Sequence, residues 1–498
     1  MKKLILGFVI AISASLAAQA EEPLKVSGAP RGESEWNLSV IGGPGVHSLE
    51  QRDDLASADW KVIQALTTRT NFALTKAGSK AFVRAKAAPA NDVSIFTNAT
   101  WLLAEGRAAF RHDTFGSEAF WGGALKLHRA IAGTNHGGVG PGVTPRTALA
   151  VGLKVDSEAL PESIKQALAR GEVNLDDPAT TLALLQLDAV VGVKGIFNQE
   201  QQLTSLGIQC ALCHSTVDNS FTSGIGQRLD GWPNRDLNVG AIINLSPDVT
   251  VLTNALEVDE ATVRTVLQSW GPGKFDAELI LDGKAFRPDG KSAATILPAA
   301  FGLAGVNLST YTGWGSVTHW NAFVSNLEMH GSGTFWDPRL NDTNTFPLAA
   351  RKGYANVRTT NDLITPKLAA LHFYQLSIPA PKPPATIYNA QAAIRGEVLF
   401  KGKAQCATCH VPPLYTEPGW NMHTPQEIGI DDFQANRSPD KRYRTTPLGG
   451  LFARSKGGFY HDGRFATLDD VVNHYERHFN LGLTAQETAD LREFLKSL

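Results

Sequence analysis

The residues with the sharpest chemical meaning are the four cysteines, which all fall in two copies of one pentapeptide. These are Cys210-Ala211-Leu212-Cys213-His214 and Cys406-Ala407-Thr408-Cys409-His410. C-x-x-C-H is the attachment signature of c-type haem. Two thiols three positions apart reach the two vinyl groups of one porphyrin as thioethers. The histidine that follows supplies the proximal imidazole to the iron. With cysteine so scarce, two matches rule out coincidence. A single zinc site built from both pairs would need cysteines much nearer than the nearly two hundred residues that separate the motifs. A thiol–disulfide catalyst would need a βαβ setting that neither copy has. The chain is therefore expected to carry two covalent haem c groups, on Cys210, Cys213 and His214 and on Cys406, Cys409 and His410.

The sixth position of each iron separates an electron carrier from an enzyme, because a strong ligand on both faces blocks substrate. For the second haem, Thr467 is placed to cap a helix whose first turn holds Asp469 and Asp470. Val471, Val472 and either His474 or Tyr475 would point inward from it. His474 is the preferred distal ligand and Tyr475 the next choice, with Met422 and His423 in the preceding loop behind them. His461 is expected to hydrogen-bond near the haem edge. For the first haem, the aromatic stretch from Trp314 to Trp336 reads either as plain core or as a pocket over an open iron. In the second reading Trp320 and Phe335 wall the pocket. His330 or His319 then serves as acid/base group or displaceable ligand.

Around these residues the expected architecture is mainly α. Two cytochrome c-like haem domains with long loops, 196–378 and 389–498, are joined by a Pro-rich linker at 379–388. Ala390 to Phe400 and the segment opened by Thr484-Ala485-Gln486-Glu487 read as entry and exit helices of the second domain. Thr365 to Leu376 reads as the exit helix of the first. Residues 21–195 are expected to form a mostly helical scaffold or cap, with helices at Glu118 to Ile131 and Thr180 to Val193. Lys2 and Lys3, the apolar run Leu4 to Leu16 and Ala18-Gln19-Ala20 read as a secretory signal over residues 1–20. That places the mature chain in the periplasm or outside the cell, with no membrane span. Net charge is −2, from 46 Lys and Arg against 48 Asp and Glu, with no basic stripe for a nucleic acid.

The paired motifs, the Tyr460-His461-Asp462-Gly463 turn and the Thr467-Leu468-Asp469-Asp470-Val471-Val472 helix resemble the bacterial di-haem cytochrome c peroxidase and MauG superfamily. That resemblance implies a reactive first haem, a second haem that passes electrons and a Ca²⁺ between them. It places Tyr475 where those proteins carry Met or Tyr as distal ligand. Arg228 to Ala241, Trp320 with Phe335 and Val471-Val472-Asn473-His474 are similar to the RoxA-type rubber oxygenase branch. By that resemblance Trp320 and Phe335 line the first distal pocket, and His410 and His474 hold a closed haem. Fewer than ninety residues follow His410, so polyisoprene is not carried over as substrate. The expectation is a periplasmic oxidoreductase using O₂ or H₂O₂ on an unknown organic or protein substrate, served by a small periplasmic electron-transfer protein. The alternative is an electron-transfer cytochrome with both irons closed.

Overall fold

The computed structural model describes residues 24–31, 35–41, 45–52, 59–75 and 82–498. The expected secretory signal lies outside these residues. The chain divides into two compact units, 1–101 and 102–498.

The first unit corrects the expectation of a helical extension. Its described residues form six strands: β1 (Lys25–Pro30), β2 (Glu35–Ile41), β3 (His47–Arg52), β4 (Lys61–Thr67), β5 (Asn71–Thr75) and β6 (Phe82–Ala87). They pair antiparallel into two small sheets, in the orders β1-β2-β5 and β4-β3-β6. The cause is a period of two in the sequence. In β2, Trp36, Leu38 and Val40 alternate with Asn37 and Ser39, and Leu38 and Val40 are buried. A helix, Ala90–His112, follows the sheets.

The second unit is mostly helical, with short two-stranded ribbons, and contains both pentapeptides. The helix expected over Glu118 to Ile131 is split. A π turn, Ala119–Ala124, is followed by Lys126 in the left-handed region at φ 54° and by a short helix, Leu127–Ala132. The stretch from Thr180 to Val193 is helical only within Pro178–Gln186. It then runs into the hairpin Val193–Phe197 with Leu203–Ile208, which delivers the chain to Cys210.

The C-terminal part follows the expected layout. Asn389 caps helix Ala390–Lys401, and Thr484 with Glu487 forms a capping box on helix Ala485–Ser497. These helices cross closely at Gly396, where a Cβ would overlap the Asp490 carbonyl oxygen. Arg395 adds a bidentate pair to the Asp490 carboxylate at 2.8 and 2.7 Å. Thr467 and Asp470 form a second capping box, on helix Leu468–Phe479. The Pro-rich segment is irregular but not loose: the Gly302 amide donates to the Ile378 carbonyl at 2.9 Å, and Ala380 packs against Gly302 and Gly449.

Candidate functional site

Each pentapeptide sits in a tight turn whose backbone groups are satisfied by residues well removed in sequence. At the first, the Gly231 amide donates to the His214 carbonyl at 2.8 Å and the Asn234 amide to Cys213 at 2.9 Å. Gly192 must be glycine, since a Cβ there would collide with the Leu212 backbone and its φ is +77°. Asp230 ties this turn to two helices. Its carboxylate accepts from Ser215 Oγ at 2.9 Å, from Arg111 Nε at 2.5 Å and from the Tyr374 hydroxyl at 2.5 Å.

The two proximal histidines share one arrangement. His214 Nδ1 lies 3.1 Å from the Pro298 carbonyl oxygen, and His410 Nδ1 lies 3.0 Å from that of Tyr415. A ring whose Nδ1–H donates to a carbonyl presents Nε2 as the free lone pair, which is how a metal-binding histidine is oriented. Burial holds both imidazoles below their ordinary pKa, His410 at about 4, so both stay neutral and able to ligate. The four cysteines form no disulfide. Burial pushes the Cys210 and Cys213 thiols up to about 12 and Cys406 to about 11. That is the reverse of the lowered value a thiol–disulfide catalyst needs.

Next to the second pentapeptide lies a cavity of about 310 Å³, lined by Cys406, Cys409 and His410 on one wall and by Tyr460, His461 and Tyr475 among others. Its polar end decides what fits. The guanidinium groups of Arg235, Arg444 and Arg454 all line it, and among the described residues none has a carboxylate within ion-pair distance. Arg235 Nε, Arg444 Nη1 and Arg454 Nε are buried without any hydrogen-bond partner. Burial lowers Arg444 and Arg454 to about 10. Buried cations need counter-charges. The two propionates of a haem attached at Cys406 and Cys409 have the chemistry this end lacks. The residues fit haem c.

Helix Leu468–Phe479 forms another wall. Leu468, Val471, Val472, Tyr475 and Phe479 recur at helical spacing and all face the cavity. His474 lies about 100° round the helix from Tyr475 and does not line the cavity. Its Nε2 lies 2.8 Å from the Ile428 carbonyl oxygen, and the neighbouring His478 binds the Glu427 carbonyl at 3.1 Å. The structure thus turns Tyr475 inward, in place of the expected His474. Met422 is not in the cavity wall, whereas His423 is, with its Nε2 2.6 Å from Glu417. Cys409, Glu417 and His423 bring one ligand atom each within 4.8 Å of one another. His423 and Glu417 form a hydrogen-bonded pair within this group.

Near the first pentapeptide, the residues expected to form a distal pocket separate into two groups. Trp320 and Phe335 belong to an aromatic cluster with Trp314, Phe323 and Phe346, where Trp320 stands edge-on to Phe323 at 5.1 Å and Phe335 to Phe323 at 5.6 Å. His319 is held in this cluster by Asp337, its Nε2 at 3.0 Å from the carboxylate. His330 lies apart from the cluster, stacked on Phe120 at 3.6 Å, and burial lowers it to about 4. Sequence reasoning missed Glu328. Helix Val317–Phe323 widens into a π turn, Val324–Glu328, and the carboxyl at its end helps raise the Cys213 thiol. Burial pushes Glu328 well above the usual carboxylate range, and its Oε1 has no partner. Only its sequence position next to Met329 and His330 hinted at this.

The two haem regions are bonded directly to each other. The Ile296 amide donates to the His461 carbonyl at 2.7 Å, two residues before Pro298, the acceptor for His214. Trp232 stands edge-on to Phe452 at 5.6 Å. Arg437 is fully buried, with Asp282 at 2.8 Å and Asp276 at 2.9 Å.

No family model matches the chain. Over 122 residues it is 30 % identical to the methylamine utilization protein MauG of Methylorubrum extorquens, a stretch covering 21 % of this chain and 34 % of that protein. The chain is a distant, partial relative of MauG. The chain spans about a third of that relative's length. A likeness to hydrazine synthase of Kuenenia stuttgartiensis, at 19 % identity and TM-score 0.24, covers 43 % of this chain and 76 % of that one. Among the described residues no helix is long and apolar enough to cross a membrane.

Proposed function

We propose that this chain is a periplasmic di-haem c-type oxidoreductase, in which the haem on His214 activates O₂ or H₂O₂ and the haem on His410 transfers electrons. The observation that carries this reading is the difference between the two sites. The second cavity has the Tyr475 side chain in its wall, whereas the buried Glu328 carboxyl, whose Oε1 has no partner, acts electrostatically on Cys213 of the first pentapeptide. A haem in the first site would supply an iron that binds and reduces oxygen species.

The residues of the chain divide the remaining work. The Pro298 carbonyl orients His214 and strengthens it as a donor. Glu328, held protonated by burial, keeps a proton at its carboxyl and would be the proton donor of this site. Burial holds His330 uncharged, so it contributes no proton of its own at neutral pH. Trp320 and Phe335 belong to the buried aromatic cluster that supports the helix leading to Glu328. Arg235, Arg444 and Arg454 would hold the propionates of a haem in the second cavity and would favour its reduced state by their charge. Electrons would come from a small periplasmic electron-transfer protein.

The test is an optical and EPR titration of the purified holoprotein with CO, O₂ and peroxide in both oxidation states. One haem should respond while the other stays low-spin, and His214→Ala should abolish the responsive signal. If neither haem responds in either state, the protein is an electron carrier.

A further inference from the structure

A second cavity, of about 70 Å³, lies inside the second unit against the chain that carries the first pentapeptide. Trp121, Leu184, Leu206, Leu212, Ile225 and Val239 are among its walls, and none of its lining residues is exposed. Leu212 is one of the two residues between Cys210 and Cys213, and Ile208 lies two before Cys210. On another side, Trp121 Nε1 donates to the Met329 carbonyl at 3.1 Å, and the adjacent Phe120 is the ring stacked on His330. The cavity thus adjoins both the attachment turn and the segment holding Glu328 and His330.

Its lining decides what can occupy it. Two polar side chains, Lys154 and Thr181, reach it. Lys154 turns its ammonium away to Asp236, at 2.6 Å, and leaves only its stem in the wall. Thr181 is buried and its hydroxyl has no partner. An internal water needs two to four polar partners, and one hydroxyl does not provide them. An apolar cavity of roughly 150 Å³ stays dry and takes up benzene or xenon. This one is about half that size, which excludes a ring and admits a diatomic molecule or a single xenon atom. A chance packing defect in so well filled an interior would have to keep nineteen apolar neighbours from closing on it.

We infer that this cavity is a binding site for a gas-sized apolar molecule, O₂ by chemical class, held beside the first haem. The supply of O₂ to that haem rests on the function proposed above. Occupancy of the cavity does not.

The two are separated by one set of measurements on the holoprotein. Crystals pressurised with xenon should show one xenon among Leu184, Leu212 and Val239. Thr181→Val, which removes the free hydroxyl, should retain it. Ala148→Leu, on the wall formed by helix Pro145–Ala150, should lose it; Val190→Leu makes the same test with less added volume if that variant does not fold. Ordered water in the cavity, or no xenon there, overturns the inference. In stopped-flow measurements, CO and O₂ association with the reduced first haem should slow several-fold in the filled variant that folds. An unchanged rate overturns the supply role. A wild-type haem that binds no CO defeats the proposed function but leaves the xenon result standing.

Discussion

At the scale of single residues, the second haem site turns on which side of one helix is presented. Tyr475 shares its face with Leu468, Val471, Val472 and Phe479, and His474 does not. Tyr475→Phe is therefore expected to change the absorption and EPR spectra of the second haem. His474→Ala should leave them unchanged and cost about 1 kcal/mol through the lost bond to Ile428, measured by denaturant unfolding. Equal spectral changes in both variants would show that the helix rotates when haem is attached. The three unpaired guanidiniums carry a second prediction. Replacing Arg454 or Arg444 by Leu removes a buried positive charge and should lower the midpoint potential of the second haem by on the order of 60 mV. Spectroelectrochemistry reads this directly.

Glu328 gives a pH dependence whose sign is opposite to that of a salt-bridged acid. Its folded pKa lies well above the unfolded value, so the folded state binds the extra proton. Its contribution to stability is intact below the unfolded carboxylate pKa and is lost as pH rises toward the folded one. Glu328→Gln should therefore stabilise the protein at pH 8 by roughly 1–3 kcal/mol and have little effect near pH 4. Urea titrations at the two pH values measure this, and equal effects at both would show that the carboxyl is ionised throughout.

At the scale of elements, the helices that enclose the second haem depend on close approach and on caps. Gly396→Ala would push a Cβ into the Asp490 carbonyl. It is expected to destabilise the chain by about 1–3 kcal/mol, seen as a lower thermal midpoint and earlier loss of the second haem's spectrum. These helices were legible in the sequence because their signals are local: Asn389, Thr467 and Thr484 cap within three residues, and the apolar positions repeat at helical spacing. The N-terminal strands carry an equally local signal, with Trp36, Leu38 and Val40 alternating, over a run too short to outweigh a helical expectation for the whole extension. The split of Glu118 to Ile131 is a different matter. Phe120 and Trp121 are drawn toward His330 and Met329, more than two hundred residues away, and the helix widens to a π turn to meet them.

For the second unit as a whole, the two haem regions are joined through buried charge. Arg437, from the C-terminal part, lies between Asp276 and Asp282 of the first region. Breaking a buried pair from one side strands the charges that remain. Arg437→Ala should therefore cost roughly 3–5 kcal/mol and loosen both haem environments together, while Arg437→Lys, which keeps the charge but not the fork, should cost less. Calorimetry would distinguish a joint transition from two separate ones.

The expected haem count, attachment residues and proximal histidines are legible in the sequence alone, because a thioether pair and an axial imidazole demand a fixed spacing along one short turn. The capped helices of the C-terminal part were determined in the same way. Only the tertiary structure decided that Tyr475 rather than His474 faces the second cavity, since one residue step turns a helical side chain by about 100°. It also decided that Arg235, Arg444 and Arg454 converge on one cavity, that Glu328 is buried with a free Oε1, and that Trp320 and Phe335 pack with Trp314 and Phe323. Each of these depends on segments far apart in the chain meeting in space. No local spacing records such a meeting.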